Sequence, residues 1–425
     1  MSTRTRLPLY GWLTASAISL LGTRVSMIAI PWLVLVTTGS PTKTGLVAMA
    51  EITPMVLLKA AGGPLVDRVG PRRLAITADC LSLVVVGLIP VLHRADRLSL
   101  PLLLALVAMA GALRGPGDAA STALVPALVE HAEVPYECAT GLASAIERGS
   151  TMLGAALAGG LVAAIGPAAA VAVDAASFGL CALVLLVTTR ALEGPRLEDA
   201  TDRREPAEER TTSYTEELRE GWAFLRRDPV LMSLCVMIAV TNLLDLAWSA
   251  VLLPVWARES GAGVAVVGLV FSVWGGASMV GSVVAAAYGT RLPRFATYLV
   301  AFLITGLPRF VLFALGVPLW VILATCLVGG CASGFLNPVL GAVQFERIPR
   351  AMVGRVTSLS NALCWSLMPF GGLLGGVLVS SYGLDPAILL VGLAYFVTTM
   401  APALLPSFRG MNRQVRADTR DPVAA

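Results

Sequence analysis

Ionisable side chains stand inside otherwise apolar runs of this sequence, among them Arg24, Glu51, Asp79, Arg114, Asp118, Glu147, Arg148, Asp174, Asp245 and Arg309. An unpaired charge in the middle of a bilayer costs about 2.5 kcal/mol or more, so such groups pair with one another, face a wet cavity or carry protons. Arg114 and Asp118 are four residues apart and share a helix face, whereas adjacent Glu147 and Arg148 point about 100° apart and need separate partners. Glu51 has two readings, carrying a proton or neutralising Arg24. Asp79 and Asp174 lie close to the ends of their runs, where capping or a local hydrogen bond is the plainer role. Lys59 is expected to snorkel toward the polar surface, and Arg309, directly after Pro308, reads as structural. Trp248, Trp274, Asn361 and Trp365 supply apolar walls with a few polar fixtures, a surface suited to amphipathic small molecules.

Covalent chemistry finds little to build on. His93 and His131 are the only histidines, and the seven cysteines lie in or beside apolar runs with no CxxC spacing. They read as reduced packing residues, with no metal site and no catalytic triad. The sequence is not that of an enzyme.

These groups must be positioned by membrane-spanning helices. Of 425 residues, 56% are hydrophobic and only 14% charged, and the mean hydropathy is +0.78. A span needs about 20 apolar residues, and twelve such runs are predicted: Leu9–Thr37, Thr44–Leu65, Leu74–Leu92, Leu98–Leu128, Tyr136–Ile165, Ala168–Thr189, Val230–Trp256, Val264–Gly289, Ala296–Leu315, Leu319–Leu340, Val356–Tyr382 and Ala387–Leu405 (spans 1 to 12). The fold class is therefore all-α and integral to the membrane. Residues 1–190 form one six-helix bundle, 191–228 a cytoplasmic linker, and 229–425 a second bundle with a cytoplasmic tail. No signal peptide is apparent, since the run from Leu7 is too long for a signal core.

Within the linker, Leu218, Trp222 and Leu225 recur at helical spacing, which predicts a short amphipathic helix on the membrane surface. Arginine and lysine number 22 in the termini, the linker and the loops on their side, against 4 in the opposite loops. That bias puts both termini in the cytoplasm. The net charge of +4 is spread over alternate loops rather than one basic face, which argues against nucleic acid as a partner. Leu157-Ala158-Gly159-Gly160 in span 5 and Leu373-Leu374-Gly375-Gly376 in span 11 are a weak internal repeat, consistent with pseudo-symmetric halves. Together with Gly371 and Gly372 they are small-residue stripes, suited equally to static packing and to helices that rock.

The loop after span 2 carries a resemblance. Gly63, Leu65, Asp67, Arg68, Gly70 and Arg72 match position by position the most diagnostic motif of the major facilitator superfamily, with Pro71 in place of its usual basic residue. Two further stretches resemble the macrolide-efflux-like branch: Leu218-x-Glu220-Gly221-x-x-Phe224-Leu225-x-x-x-Pro229, and Asn337-Pro338 followed by Gln344, Pro349 and Gly354-Arg355-Val356. Span 5 keeps the terminal glycines of the antiporter motif and lacks its prolines.

The resemblance implies two six-helix bundles, alternating access, and a central cavity lined by spans 1, 4, 7 and 10, which singles out Arg24, Arg114, Asp118 and Asp245. It implies a gating loop of Gly63, Asp67, Arg68, Gly70 and Arg72, in which Asp67 caps the next helix and meets the start of span 11. It further implies a secondary transporter in the cell (inner) membrane, a monomer in the lipid bilayer, that exports amphipathic small molecules. No nucleotide loop is present, so no cofactor is expected and a proton gradient is the expected energy source, with the charge network Arg24, Glu51, Arg114, Asp118, Glu147, Arg148 and Asp245. The alternatives are an uptake symporter for a polar nutrient and, further off, a non-transporting receptor or scaffold.

Overall fold

A computed structural model describes residues 6–61, 63–190, 214–288, 292–349, 352–405 and 408. Among the described residues every regular element is helical. Span 1 is Leu7–Thr38, span 2 Pro41–Ala61, span 3 Pro71–Arg94, span 4 Leu100–Ala123 followed by Val125–Ala132, span 5 Tyr136–Ile165, and span 6 Pro167–Thr188. Span 7 runs Pro229–Ala247, a π-helical turn Trp248–Leu252, then Leu253–Glu259; span 8 is Val264–Tyr288. Span 9 is Arg294–Thr305 and Leu307–Ala314, span 10 Leu319–Ser333 and Leu336–Arg347, span 11 Val353–Trp365 and Gly371–Tyr382, and span 12 Leu384–Met400. Eleven of these are long and apolar enough to cross a membrane. The remaining one, span 2, has the length, with 21 residues, but Lys43, Glu51 and Lys59 make it less apolar. The chain is a multi-pass membrane protein.

The loop after span 2 is more ordered than its composition suggests. Gly63–Val69 forms a short helix of its own, and the break falls at Gly70, whose φ of +86° suits glycine. Gly70 is the N-cap of span 3, with Pro71 in its first turn, and Asp67 lies inside the preceding helix. The side chain of Asp67, and with it the expected contact at the start of span 11, falls outside the described residues. Arg68 is exposed. Arg72 is only 7% exposed: Nε donates to Thr189 Oγ1 at 2.8 Å and Nη2 to the Leu186 carbonyl at 3.1 Å. It caps the C-terminal end of span 6, where a cation suits the helix dipole.

Contacts divide the chain into two compact units, one of Met1–Glu209, Leu246–Gly275 and Pro369–Ala387, the other of Arg210–Asp245, Gly276–Met368 and Ile388–Ala425. In the first unit, span 1 packs along spans 6 and 5, span 2 along span 4, and span 3 along spans 6 and 4. Near the termini its core is Leu9, Trp12, Leu13, Leu124, Leu128 and their neighbours. At the opposite end glycines bring backbones together. A Cβ on Gly45 would strike the Gly372 carbonyl, one on Gly376 would meet Pro41 and Thr42, and one on Gly159 would sit 2.8 Å from the Gly268 Cα. Thr42 Oγ1 lies 2.7 Å from Ser380 Oγ, and Arg258 donates to the Leu35 carbonyl at 2.8 Å. The glycine stripes are thus helix contact surfaces.

In the second unit the linker's last stretch, Tyr214–Arg227, is helical as its spacing predicts. Its apolar face is turned to protein: Leu225 is fully buried in a cluster with Leu231, Ile348 and Val356, and Glu220 pairs with Arg355 at 3.2 Å. Trp222 stays 40% exposed. The expected membrane-surface helix is therefore docked on the first half of span 11. Asp228 then starts span 7: its Oδ1 accepts from the backbone of Val230 and Leu231 at 2.9 and 3.1 Å, and its Oδ2 binds Arg347 at 2.9 Å. This is N-capping with an added ion pair.

Candidate functional site: a charged chamber in the first unit

On span 4, Gly111 and Gly115 stand one helical turn apart. A Cβ on Gly111 would strike the Glu51 carbonyl, and one on Gly115 would lie 2.6 Å from the Met55 carbonyl. Span 4 can therefore press directly on the backbone of span 2, as small residues allow. Two ion pairs follow from that approach. Arg114 Nη1 reaches Glu51 Oε1 at 3.3 Å, with the two side chains 16% and 17% exposed, and Lys59 Nζ reaches Asp118 Oδ2 at 3.5 Å, with both half exposed. Arg114 also donates to Thr23 Oγ1 at 3.1 Å and lies 5.9 Å from the Phe178 ring centre. The expected Glu51–Arg24 pair does not form, and Lys59 finds a carboxylate instead of snorkelling away.

These groups border a cavity of about 470 Å³ in the half of the first unit nearest the N-terminus. Its walls come from spans 1 to 6. Arg114, Asp118, Lys59, Glu147 and Asp79 line it, with Trp12 and Phe178 as aromatic surfaces. Trp12 is oriented by its indole N–H, which donates to Ser121 Oγ at 2.9 Å. Asp174, beside the chamber, is fully buried and accepts from Ser26 and Ser177. Arg24 donates to Thr151 Oγ1 at 2.9 Å, and Glu147 acts on it as an opposing charge. Glu147 and Arg148 are exposed.

The second unit holds a further intramembrane arginine. Arg309 Nη2 lies 2.7 Å from Asp245 Oδ1, and its guanidinium stacks 4.5 Å from the Phe310 ring centre and 4.9 Å from that of Tyr395. Asp245 is the last residue of this unit before span 7 passes into the first, three residues ahead of the π-helical turn. Such turns are frequent at functional sites. The residues of the expected substrate wall differ in exposure. Trp248 is buried at 5% exposure, Trp274 is partly buried and Asn361 exposed, and Trp365 packs against the Leu225 cluster. Sequence reasoning passed over Asn242, on span 7, which donates to the Cys364 carbonyl at 2.9 Å. It also passed over the Gly111–Gly115 spacing, which was there to be read.

Among the described residues no three His, Cys, Asp or Glu side chains converge as metal ligands do. What the chamber offers is exchangeable ion pairs and carboxylates within reach of water.

A profile of the Major Facilitator Superfamily matches residues 12–370 and 239–420. The multidrug efflux pump Tap of Mycobacterium tuberculosis (strain ATCC 25618 / H37Rv) is 28% identical over 428 residues, covering 100% of both chains. The multidrug efflux pump Tap of Mycolicibacterium fortuitum is 27% identical over 95% of this chain and 96% of its own. In three dimensions the chain is similar to the nucleoside transporter NupG, with a TM-score of 0.76 at 13% identity over 96% of this chain and 100% of that one; the likeness is one of fold.

Proposed function

The chain belongs to the Major Facilitator Superfamily, and from that premise we propose that it is a secondary transporter exporting amphipathic small molecules across the cell membrane by alternating access, driven by protons. The observation that carries this reading is end-to-end similarity to multidrug efflux pumps at 28% identity. Substrate export needs a membrane path with two alternately closed ends and a charge that changes with the driving ion. In this reading the Gly45–Gly372 and Gly159–Gly268 contacts close the path at the end of the first unit away from the N-terminus. The Arg114–Glu51 and Lys59–Asp118 pairs supply groups that rearrange when a proton binds. In this reading both termini are cytoplasmic, the working unit is one chain, no cofactor is needed, and the protein performs no covalent chemistry.

The test is expression in an efflux-deficient bacterium with a panel of drug susceptibilities, together with drug-dependent proton movement in inverted membrane vesicles. Raised resistance and proton counter-movement are expected. Accumulation of a sugar or organic acid inside cells, with unchanged drug susceptibility, would replace export by uptake.

A further inference from the structure

Asp79 was expected to cap a helix or to make a local hydrogen bond, and it does neither. Span 3 begins at Pro71, so Asp79 stands in its third turn, beyond the reach of a capping role. Ala75, Ala78, Asp79 and Ser82 recur at helical spacing and form the face of span 3 that borders the chamber. Among the described residues no donor or cation pairs with the Asp79 carboxylate.

The charges facing it sort themselves. Arg114 on span 4 is held by Glu51, and Lys59 on span 2 by Asp118. Glu147 on span 5 has Arg24 as its opposing charge. Cys181 on span 6, also in the wall, points its thiol at the Ala15 carbonyl, 3.2 Å away. Asp79 is left as the carboxylate without a counter-charge. Gly117, opposite Ala78, lets spans 3 and 4 close around it. Ser16, Ser19 and Ser144 place hydroxyls on the same walls, and a cavity of about 470 Å³ with charged and hydroxyl groups on its walls has room for several waters, since one water needs only about 30 Å³.

Resting on the proton-driven reading above, we propose that Asp79 is the proton-carrying residue of the chamber. In the step it performs, a hydronium ion from chamber water gives its proton to one carboxylate oxygen, leaving water and a neutral carboxylic acid; release runs in reverse. The chamber's net charge changes by one each time. Because Asp118 and Lys59 face the same space, this change alters the balance of the neighbouring ion pair. The proton then binds within one unit, on span 3.

Infrared titration of the full-length purified protein tests the assignment without any substrate. The carboxylic acid C=O band of the unaltered chain should shrink as pH rises, and one component of that change should be missing in Asp79→Asn and retained in Glu147→Gln. A titration of Asp79→Asn that superimposes on that of the unaltered chain overturns the proposal. In inverted vesicles, ethidium movement driven by a pH gradient should be lost in Asp79→Asn and recovered in Asp79→Glu, while ethidium counterflow without a gradient persists in both. Loss of counterflow as well would make Asp79 a structural residue and overturn the proposal too. If the unaltered chain itself moves no ethidium under a pH gradient, the export reading fails for that probe, and the infrared result still decides whether Asp79 binds the proton.

Discussion

Arg309 in the second unit and Arg114 in the first both stand in the apolar interior, and the two are held differently. Arg309 meets Asp245 at 2.7 Å and lies between two aromatic rings, its side chain 9% exposed. Arg114 meets Glu51 at a looser 3.3 Å, shares a bond with Thr23 Oγ1, and adjoins a cavity. Asp174 and Arg24 lie within its electrostatic reach. The first arrangement has one good geometry, as a guanidinium packed on aromatic faces with a short carboxylate contact should. The second has neighbours to turn to. The difference assigns a static pin to the second unit and movable charge to the first.

The sharpest way to break that contrast is Asp245→Asn. It removes the opposing charge from a guanidinium that is 9% exposed, while Asp245 itself is 46% exposed and Asn keeps an amide oxygen to accept from it, so the loss should be about 2 kcal/mol, within the range of a hydrogen bond to a charged group. Thermal unfolding in detergent should show this as the largest stability loss among these variants. A loss below about 1 kcal/mol, the range of exposed pairs, would remove the pin.

Glu51→Gln is the counterpart in the first unit. Thr23 and the amide oxygen still accept from Arg114, so the stability loss should be nearer 1 kcal/mol, the net value of a typical hydrogen bond. Export should suffer more, falling about tenfold, equivalent to about 1.4 kcal/mol on the rate-limiting barrier. A variant that unfolds readily and still exports normally would erase the distinction between the units.

Much of this was legible in the sequence, and the reasons differ by element. Span positions follow from hydropathy, since a run that crosses oil must be apolar over its whole length. That fixed the helix count, and the loop motif ending in Arg72 gave the family. Partners were harder. Arg114 and Asp118 share a face by spacing alone, but nothing in their local sequence says that span 2 supplies both counter-charges. That depends on how closely spans 2 and 4 approach, which Gly111 and Gly115 decide. Asp79 was misread because distance from a run's end is a poor guide to what a side chain faces. The amphipathic helix was legible as a helix, yet its periodicity cannot distinguish lipid from the protein surface formed by Val356 and Ile348. Arg309 and Asp245 were each noticed, but 64 residues separate them.

A smaller effect is expected from Lys59→Met. Its pair with Asp118 is half exposed, and such pairs contribute about 0.2 to 1 kcal/mol and weaken with salt. Unfolding in low and high salt should differ between this variant and the unaltered chain only at low salt. A salt-independent loss above about 2 kcal/mol, outside the range for exposed pairs, would move Lys59 into the buried network and make the two units more alike.

The second unit has its own exposed pair. Arg294 grips both oxygens of Glu346, at 2.6 and 2.7 Å, a bidentate fork at the edge of the membrane. Hydrogen bonds from the Arg294 guanidinium hold the Glu346 carboxyl below its ordinary value. A carboxyl lowered in this way adds stability above the unfolded-state value of about 4.3 and loses it as pH falls through the lower folded value. Exposure and solvent screening keep the contribution small, about 0.5 kcal/mol. Glu346→Gln should therefore unfold slightly earlier than the unaltered chain near neutral pH, and the gap should close in acid as the native carboxyl takes up its proton. A gap that persists unchanged in acid would mean the fork works by packing rather than charge, and the second unit would then be pinned at its surface as well as in its interior.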